Sequence, residues 1–226
     1  MRLIDTHSHL FLEEFSEDFP QVIERARAAG VTHIFMPNID STTIEAMLSA
    51  CSVYKGYCFP MIGLHPTSVN DNYEKELEIV ARELKFSKEY VAIGEIGMDL
   101  YWDKTYLKEQ QIVLDKQVNW ALEYDLPIVI HCRDAFDYIY KVLEPYKKTP
   151  LRGIFHSFTG TAEEATRVLE FSDFFIGING VVTFKKSPLP EILAGIPLEK
   201  IVLETDSPYL TPVPNRGKRN ESAYVK

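Results

Sequence analysis

Short apolar runs alternate with amphipathic segments along the whole length of this chain. Runs such as IVIH, VAIGEI and IVLE are continuously rather than alternately apolar, which is typical of parallel strands covered by helices on both faces. The pattern predicts eight strands, at Leu3–His7, His33–Asn38, Phe59–Leu64, Val91–Ile96, Pro127–His131, Gly153–His156, Phe174–Ile178 and Ile201–Glu204. The chain is therefore expected to be an α/β protein built on parallel strands.

Seven helices are predicted between these strands, at Phe19–Ala29, Thr42–Tyr54, Tyr73–Phe86, Leu107–Tyr124, Phe136–Tyr146, Ala162–Phe171 and Leu189–Ala194. This order predicts one domain over residues 1–226 with the (β/α)8 TIM-barrel fold. A doubly wound open sheet is the structural alternative. We favour the barrel because candidate metal ligands lie on both the first and the last strand, which an open sheet would hold far apart. The chain ends at Lys226, soon after the eighth strand, so we expect that the closing C-terminal helix is missing from this sequence and that the natural chain continues.

The three cysteines, Cys51, Cys58 and Cys132, are an odd number without CxxC spacing. They argue against a disulfide framework or a structural zinc knuckle, and for a reducing compartment. The N-terminus has no basic and apolar leader, and no apolar stretch approaches the roughly 20 residues that cross a bilayer. We therefore expect a cytoplasmic protein without membrane contact, and we expect a monomer.

The net charge of −9 argues against a large non-specific nucleic-acid surface. It leaves room for a small basic rim beside an acidic metal site. Lysine and arginine are locally dense at Lys185–Lys186 and again at Arg216, Lys218 and Arg219. These side chains are candidate phosphate contacts, although short basic runs also occur as ordinary solvated surface.

Six potential metal ligands lie at or near the C-terminal ends of the predicted strands. They are His7, His9, Glu95, His131, His156 and Asp206. Parallel strands in a barrel bring these ends to one face, so residues about 200 positions apart can meet there. His7 and His9 form an HxH pair, and the alternation of side chains along a strand directs both imidazoles to the same side. The pattern predicts a metal centre at the carboxyl face of the barrel.

Each of these residues also has an alternative interpretation. Glu95 interrupts an apolar strand, where a carboxylate is costly unless it is paired, and an arginine could pair with it instead of a metal. His131 and His156 could be core or helix-capping histidines, and Asp206 could cap the next helix or turn. Their shared position at successive strand ends favours the metal interpretation.

Four imidazoles and two carboxylates exceed what one tetrahedral ion uses. They suit two divalent ions that share a bridging carboxylate, for which Glu95 is the best candidate. We assign the pair His7 and His9, with Asp206, to one ion, and the pair His131 and His156 to the other. Nitrogen and oxygen ligands without thiolate fit Mg, Mn, Zn, Ni or Co. Such a site activates water for an in-line displacement, and Asp206 could accept its proton.

The motifs DTHSH, GLHP, GEIGMD, HCRDA, HSFTG and LETDSPYL occur in this order along the chain. Together they resemble the TatD family of metal-dependent deoxyribonucleases, within the wider amidohydrolase-like superfamily. RGKRNES resembles a further family motif, with Ser222 in place of the usual proline, and HSF stands where HCF is common. The resemblance covers essentially the whole chain. It implies a TIM barrel, two divalent metals held by the six residues named above, Asp206 as the base, and 3′→5′ exonucleolytic hydrolysis of DNA.

Contacts to a DNA substrate, single-stranded or at a strand end, are expected from His65, Tyr101, Trp102, Arg133, Lys185 and Arg216. The two aromatic residues could stack on bases, with ordinary loop packing as the alternative. Arg133 could hold a phosphate, or pair with Asp134 or Asp137. His65 follows the third strand without a clear metal partner, whereas His33 lies early in a strand and is expected to be structural.

Two further hypotheses compete with the nuclease. Some relatives in the resembling family deacylate D-aminoacyl-tRNA, so the same site could hydrolyse a carboxylic ester or amide. A metal-stabilised binding module without catalytic activity is the third hypothesis. The nuclease hypothesis predicts that single-stranded DNA is shortened, and the deacylase hypothesis predicts release of an amino acid from an intact polynucleotide. The binding-module hypothesis predicts metal-dependent melting without turnover.

Overall fold

A computed structural model describes the chain from Met1 to Lys226, with eight parallel strands in sequence order. The strands are β1 (Leu3–Asp5), β2 (Val31–Pro37), β3 (Cys58–Met61), β4 (Ile93–Asp99), β5 (Ile128–Arg133), β6 (Gly153–Phe155), β7 (Phe174–Ile178) and β8 (Ile201–Leu203). They form two sheets, β1-β2-β3 and β4-β5-β6-β7-β8. Since a doubly wound sheet would reverse its strand order at a switch point, the sequential order excludes that alternative.

Single bridges, rather than continuous ladders, join the two sheets at both seams. Ile62 pairs with Ile93 at the seam between β3 and β4. Ser8 pairs with Ser207 just beyond β1 and β8, and Thr6 N–H donates to Leu203 O at 3.1 Å. The strands therefore follow the order of a TIM barrel, with two weakly paired positions in its wall.

Helices cover the strands on the outside. They are α1 (Phe19–Ala29), α2 (Ile44–Val53), α3 (Tyr73–Phe86), α4 (Leu107–Glu123), α5 (Phe136–Leu143), α6 (Ala162–Val168) and α7 (Leu189–Leu193). After β8 the chain forms only a 3-10 turn, Ser222–Val225, which packs against α1. No helix combines the length and the apolar character that spanning a bilayer requires.

The predicted and observed boundaries agree for α1, α3 and β7 and differ for the strands around the site. Strand β1 ends at Asp5, because the HxH segment leaves the ladder and pairs with the segment after β8. Strand β4 runs on to Asp99, three residues beyond the predicted end, and all of its residues are buried. Its partner β5 extends to Arg133, which lies opposite Asp99 in the parallel pairing of the two strands.

Asp5 ties the start of the chain to its end through buried hydrogen bonds. Its carboxylate accepts from Thr205 N–H at 2.9 Å, from Thr205 Oγ1 at 2.6 Å and from Ser222 Oγ at 2.6 Å. Ser222, close to the end of the chain, thus contributes one of these bonds. The carboxylate fixes the segment after β8 beside the HxH pair.

We expect the substitution Asp5→Ala to lower the free energy of unfolding by about 3 kcal/mol, because it leaves buried donors without an acceptor. Urea unfolding followed by circular dichroism would measure the change. Glu24→Ala, on the exposed face of α1, is the control and should alter stability by no more than about 0.5 kcal/mol. Equal stability of the two variants would contradict this role for Asp5.

Candidate metal centre

The carboxylate of Glu95 lies at the centre of a ring of imidazoles supplied by different strands. His7 Nε2 lies 3.1 Å from Glu95 Oε2, whereas His131 Nδ1 lies 3.0 Å and His156 Nε2 lies 3.1 Å from Oε1. Glu95 comes from the middle of β4, and its side chain is 3% exposed. The two carboxylate oxygens therefore face different imidazoles, Oε2 that of His7 and Oε1 those of His131 and His156.

His9 and Asp206 complete the side of the cluster that faces β8. Asp206 Oδ1 lies 3.7 Å from His7 Nε2 and 3.6 Å from His9 Nε2. The two Nε2 atoms of His7 and His9 are 3.2 Å apart. The ring of His7 also stacks on that of His156, with 3.6 Å between centroids. The structure thus brings together all six residues that the sequence analysis selected.

The backbone after β8 holds Asp206 against the HxH pair. Asp206 N–H donates to His7 O at 2.9 Å, and His9 N–H donates to Ser207 O at 2.8 Å. Asp206 has a φ of 57° and Ser157, directly after His156, has a φ of 47°. Residues other than glycine occupy this left-handed region at an energetic cost, and such strain clusters at functional sites.

His65 lies in the same cluster, although the sequence analysis found no clear metal partner for it. Its Nε2 is 3.3 Å from Glu95 Oε1, and its ring centroid is 4.6 Å from that of His131. His65, Glu95 and His131 form one of three groups whose donor atoms lie within 4.8 Å of one another. His65 can therefore serve as a ligand or as a substrate contact. His33 lies apart from the cluster and stacks on Phe59, which fits a structural role.

The arginine alternative for Glu95 is wrong, because every ion pair that this carboxylate makes is with a histidine. Burial would raise the pKa of Glu95, but electrostatic interaction with the imidazoles of His156, His65 and His7 outweighs burial and holds the pKa well below its usual value. Burial would likewise lower the pKa of His156, and the carboxylates of Glu95 and Glu204 raise it well above its usual value instead. Glu95 is therefore ionised and available as a ligand.

The donor set fits divalent cations. Five imidazole nitrogens lie between 3.0 and 3.6 Å from the two oxygens of one carboxylate. His7 and His9 present nitrogens to each other at 3.2 Å, and their other ring nitrogens have no hydrogen-bond partner. Such crowding of lone-pair donors without lysine or arginine is what nitrogen and oxygen metal sites require.

Two acidic residues that the sequence analysis did not select lie behind the histidines. Asp99 Oδ2 is 2.9 Å from His131 Nε2, and Glu204 Oε1 is 3.2 Å from His156 Nδ1. Both acids lie at the carboxyl end of a strand, β4 or β8. The other candidate ligands were chosen because they lie at such strand ends, so the same criterion could have identified these two acids.

Tyr101 and Trp102 lie just beyond β4 with 51% and 77% of their surface exposed. The guanidinium carbon of Arg133 lies 3.8 Å from the centroid of the Tyr101 ring and 5.6 Å from that of Trp102. Arg133 forms no ion pair with Asp134 or Asp137, and Asp137 pairs with Arg167 instead. The three side chains make one exposed cationic and aromatic surface beside Asp99.

Lys185 and Arg216 lie on the loops after β7 and β8 and are exposed. Arg216 stacks on the ring of Phe184 at 3.8 Å, which brings the two loops together. Neither residue forms an ion pair, and neither contacts the cluster around Glu95. They are free cationic groups on adjoining loops.

The chain is similar to metal-dependent hydrolases over its whole length. Residues 4–226 match the family model for TatD related DNase. The uncharacterised metal-dependent hydrolase YabD of Bacillus subtilis is 40% identical over 99% of this chain and 87% of its own length. The 3'-5' ssDNA/RNA exonuclease TatD of Pantoea ananatis is 32% identical over the same shares of the two chains.

The fold is similar to that of a TatD homologue whose structure has been solved. The crystal structure of YjjV, a TatD homologue from Escherichia coli, superposes with a TM-score of 0.91 and 30% identity, over 99% of this chain and 86% of that one. These relatives are hydrolases by name, so a binding module without catalytic activity is not supported. With the family model matched from residue 4 to residue 226, this chain belongs to the TatD family of metal-dependent hydrolases.

Proposed function

We propose that this hydrolase cleaves phosphodiester bonds of DNA, removing nucleotides from the 3′ end of a single strand at a two-metal site. The central observation in support is the position of Glu95, whose two oxygens face different imidazoles, Oε2 that of His7 and Oε1 those of His131 and His156. A carboxylate between two sets of nitrogen donors is suited to bridge two ions. The name of the Pantoea ananatis relative, a 3'-5' ssDNA/RNA exonuclease, supports the substrate class and the polarity.

In this proposal His7, His9 and Asp206 would hold one divalent ion, and His131 and His156 would hold the other. Glu95 would be a ligand of both, and the donor set would suit Mg, Mn, Zn, Ni or Co. When bound, a pair of such ions lowers the pKa of water and stabilises the charge that develops on a phosphate. The catalytic residues are then Glu95 and Asp206.

Asp206 is the best placed residue to take the proton from the attacking water. Its side chain is 15% exposed, whereas that of Glu95 is 3% exposed, so water reaches Asp206 more easily. Burial would raise the pKa of Asp206, but its hydrogen bond with His9 and the charges of His156 and His7 lower the pKa overall. The group is therefore a carboxylate at neutral pH.

The substrate strand is proposed to leave the metal centre across the surface formed by Tyr101, Trp102 and Arg133. An aromatic side chain can stack on any base, and the guanidinium can bind a phosphate with two hydrogen bonds. Lys185 and Arg216 are proposed as further phosphate contacts, and His65 as a contact at the scissile group. DNA is the expected binding partner. That the protein is cytoplasmic and monomeric also remains a prediction.

We expect Trp102→Ala to raise KM for single-stranded DNA roughly tenfold and to leave kcat nearly unchanged, since one stacked base contributes about 1–3 kcal/mol to binding. Steady-state kinetics on an oligonucleotide would measure both constants. Tyr124→Ala removes an exposed aromatic ring at the C-terminal cap of α4 and is the control. A wild-type KM for the Trp102 variant would contradict the stacking role.

The proposed function is tested with single-stranded DNA labelled at the 3′ end in one sample and at the 5′ end in another, each with Mg or Mn. Stepwise shortening of the 5′-labelled strand, with immediate release of label from the 3′-labelled strand, is the expected result. D-aminoacyl-tRNA serves as the competing substrate. Release of the amino acid from an intact polynucleotide, without cleavage of DNA, would favour the deacylase alternative.

A further inference from the structure

Glu204 is a buried carboxylate that the hydrolytic roles above leave unexplained. It is the first residue after β8, and its side chain is 0% exposed. Its Oε1 accepts a hydrogen bond from Ser157 N–H and lies 3.2 Å from His156 Nδ1. Its Oε2 has no hydrogen-bond partner. Glu204 thus lies behind His156, on the side of the ring opposite to Glu95.

A carboxylate in this position is costly, because charge buried away from water needs a partner of opposite sign. No lysine or arginine pairs with Glu204, and His156 is its one ion-pair partner. The neighbouring strand makes room for the group at Gly177 of β7, where a Cβ atom would lie 2.6 Å from Glu204 Oε2. The fold therefore accommodates a carboxylate whose only charged contact is His156.

The same arrangement occurs at His131, the other histidine assigned to the same ion as His156. Asp99 Oδ2 lies 2.9 Å from His131 Nε2, and His131 Nδ1 faces Glu95 at 3.0 Å. His7 and His9 approach acids only through Nε2. His156 Nδ1 lies 3.2 Å from Glu204 Oε1, although the two atoms do not form a hydrogen bond in this structure. An acid close to the far ring nitrogen thus distinguishes His131 and His156 from His7 and His9.

We propose that Glu204 is a positioning residue that keeps the proton of His156 on Nδ1. The Nε2 lone pair of His156 then faces Glu95 and the ion assigned to His131 and His156. Asp99 has the same role at His131, where it keeps the proton on Nε2 and leaves the lone pair of Nδ1 toward Glu95. A carboxylate on the far nitrogen of a ligating histidine fixes the tautomer and the ring orientation and makes the imidazole a stronger ligand. The inference depends on the proposed two-ion site.

Zinc binding to the full chain, measured by competition with a chromophoric chelator, tests this proposal. We expect wild type to bind two zinc ions, and Glu204→Gln to weaken one of them by about 10- to 100-fold while leaving the other unchanged. Gly177→Ala should weaken the same ion, because the added Cβ displaces the carboxylate without removing it. Neither measurement depends on hydrolytic activity.

Glu221→Gln is the matched control, since Glu221 is also buried but pairs with Arg25 instead of a histidine. It should lower the melting temperature and leave both zinc affinities unchanged. Melting of each variant without metal separates loss of fold from loss of the ion. A Glu204 variant with a wild-type melting temperature and one weakened zinc ion is the expected result.

The tautomer gives a second readout that a purely structural role would not change. In metal-free wild type at a pH where His156 is neutral, nitrogen-15 NMR of the imidazoles should show the proton of His156 on Nδ1, and Glu204→Ala should move that proton partly or wholly to Nε2. Two unchanged zinc affinities together with an unchanged His156 resonance would overturn the proposal and leave the two-ion site intact. Fewer than two zinc ions on wild type would overturn both.

Discussion

Replacing Glu95 by glutamine should lower kcat/KM for phosphodiester hydrolysis by about 10³-fold or more. The amide keeps the size of the side chain but removes the charge that faces five imidazoles. Metal ions contribute several kcal/mol of charge stabilisation to such reactions, and each 1.36 kcal/mol corresponds to a factor of ten in rate. Loss of the bridge is therefore expected to remove about 4 kcal/mol or more of transition-state stabilisation.

The rate and the metal content should fall together in this variant. Initial rates on an end-labelled oligonucleotide and elemental analysis of the same sample give the two values. Glu123→Gln, an exposed substitution at the end of α4, is the control and should retain both. Wild-type activity in Glu95→Gln with full metal content would show that the bridge is not at this residue.

Asp206→Asn should lower kcat by about 10²- to 10⁴-fold, which is the range for loss of a positioned general base. KM should change much less, because Asp206 contacts histidines rather than the exposed surface at Trp102. Steady-state kinetics at saturating metal separates the two constants. Asp173→Asn, on an exposed loop before β7, is the control. A kcat within twofold of wild type would exclude Asp206 as the base.

The eight strands and the meeting of the six selected residues could be predicted because both depend on backbone periodicity. A parallel strand places its last residues at one face of a barrel whatever its side chains are. His7 and Asp206 are therefore brought together although 199 positions separate them in the sequence. The observed HxH segment also pairs with the segment after β8, which no local pattern indicates.

The direction of individual side chains could not be predicted in the same way. Asp99 and Glu204 occupy strand ends just as Asp206 does, and the sequence alone does not distinguish an acid that faces an ion from one that faces the back of a histidine. His65 has a sequence context like that of His131, yet its partner Glu95 becomes evident only when β3 and β4 lie side by side. These details depend on packing between strands that are distant in sequence.

Crystals grown with manganese and examined by anomalous scattering test the central claim most directly. We predict two manganese peaks about 3.5–4 Å apart, the spacing typical of two-metal sites, with one oxygen of Glu95 on each ion. His7, His9 and Asp206 should surround one peak, and His131 and His156 the other. A single peak, or two peaks that Glu95 does not contact, would contradict the claim that this carboxylate bridges a pair of ions.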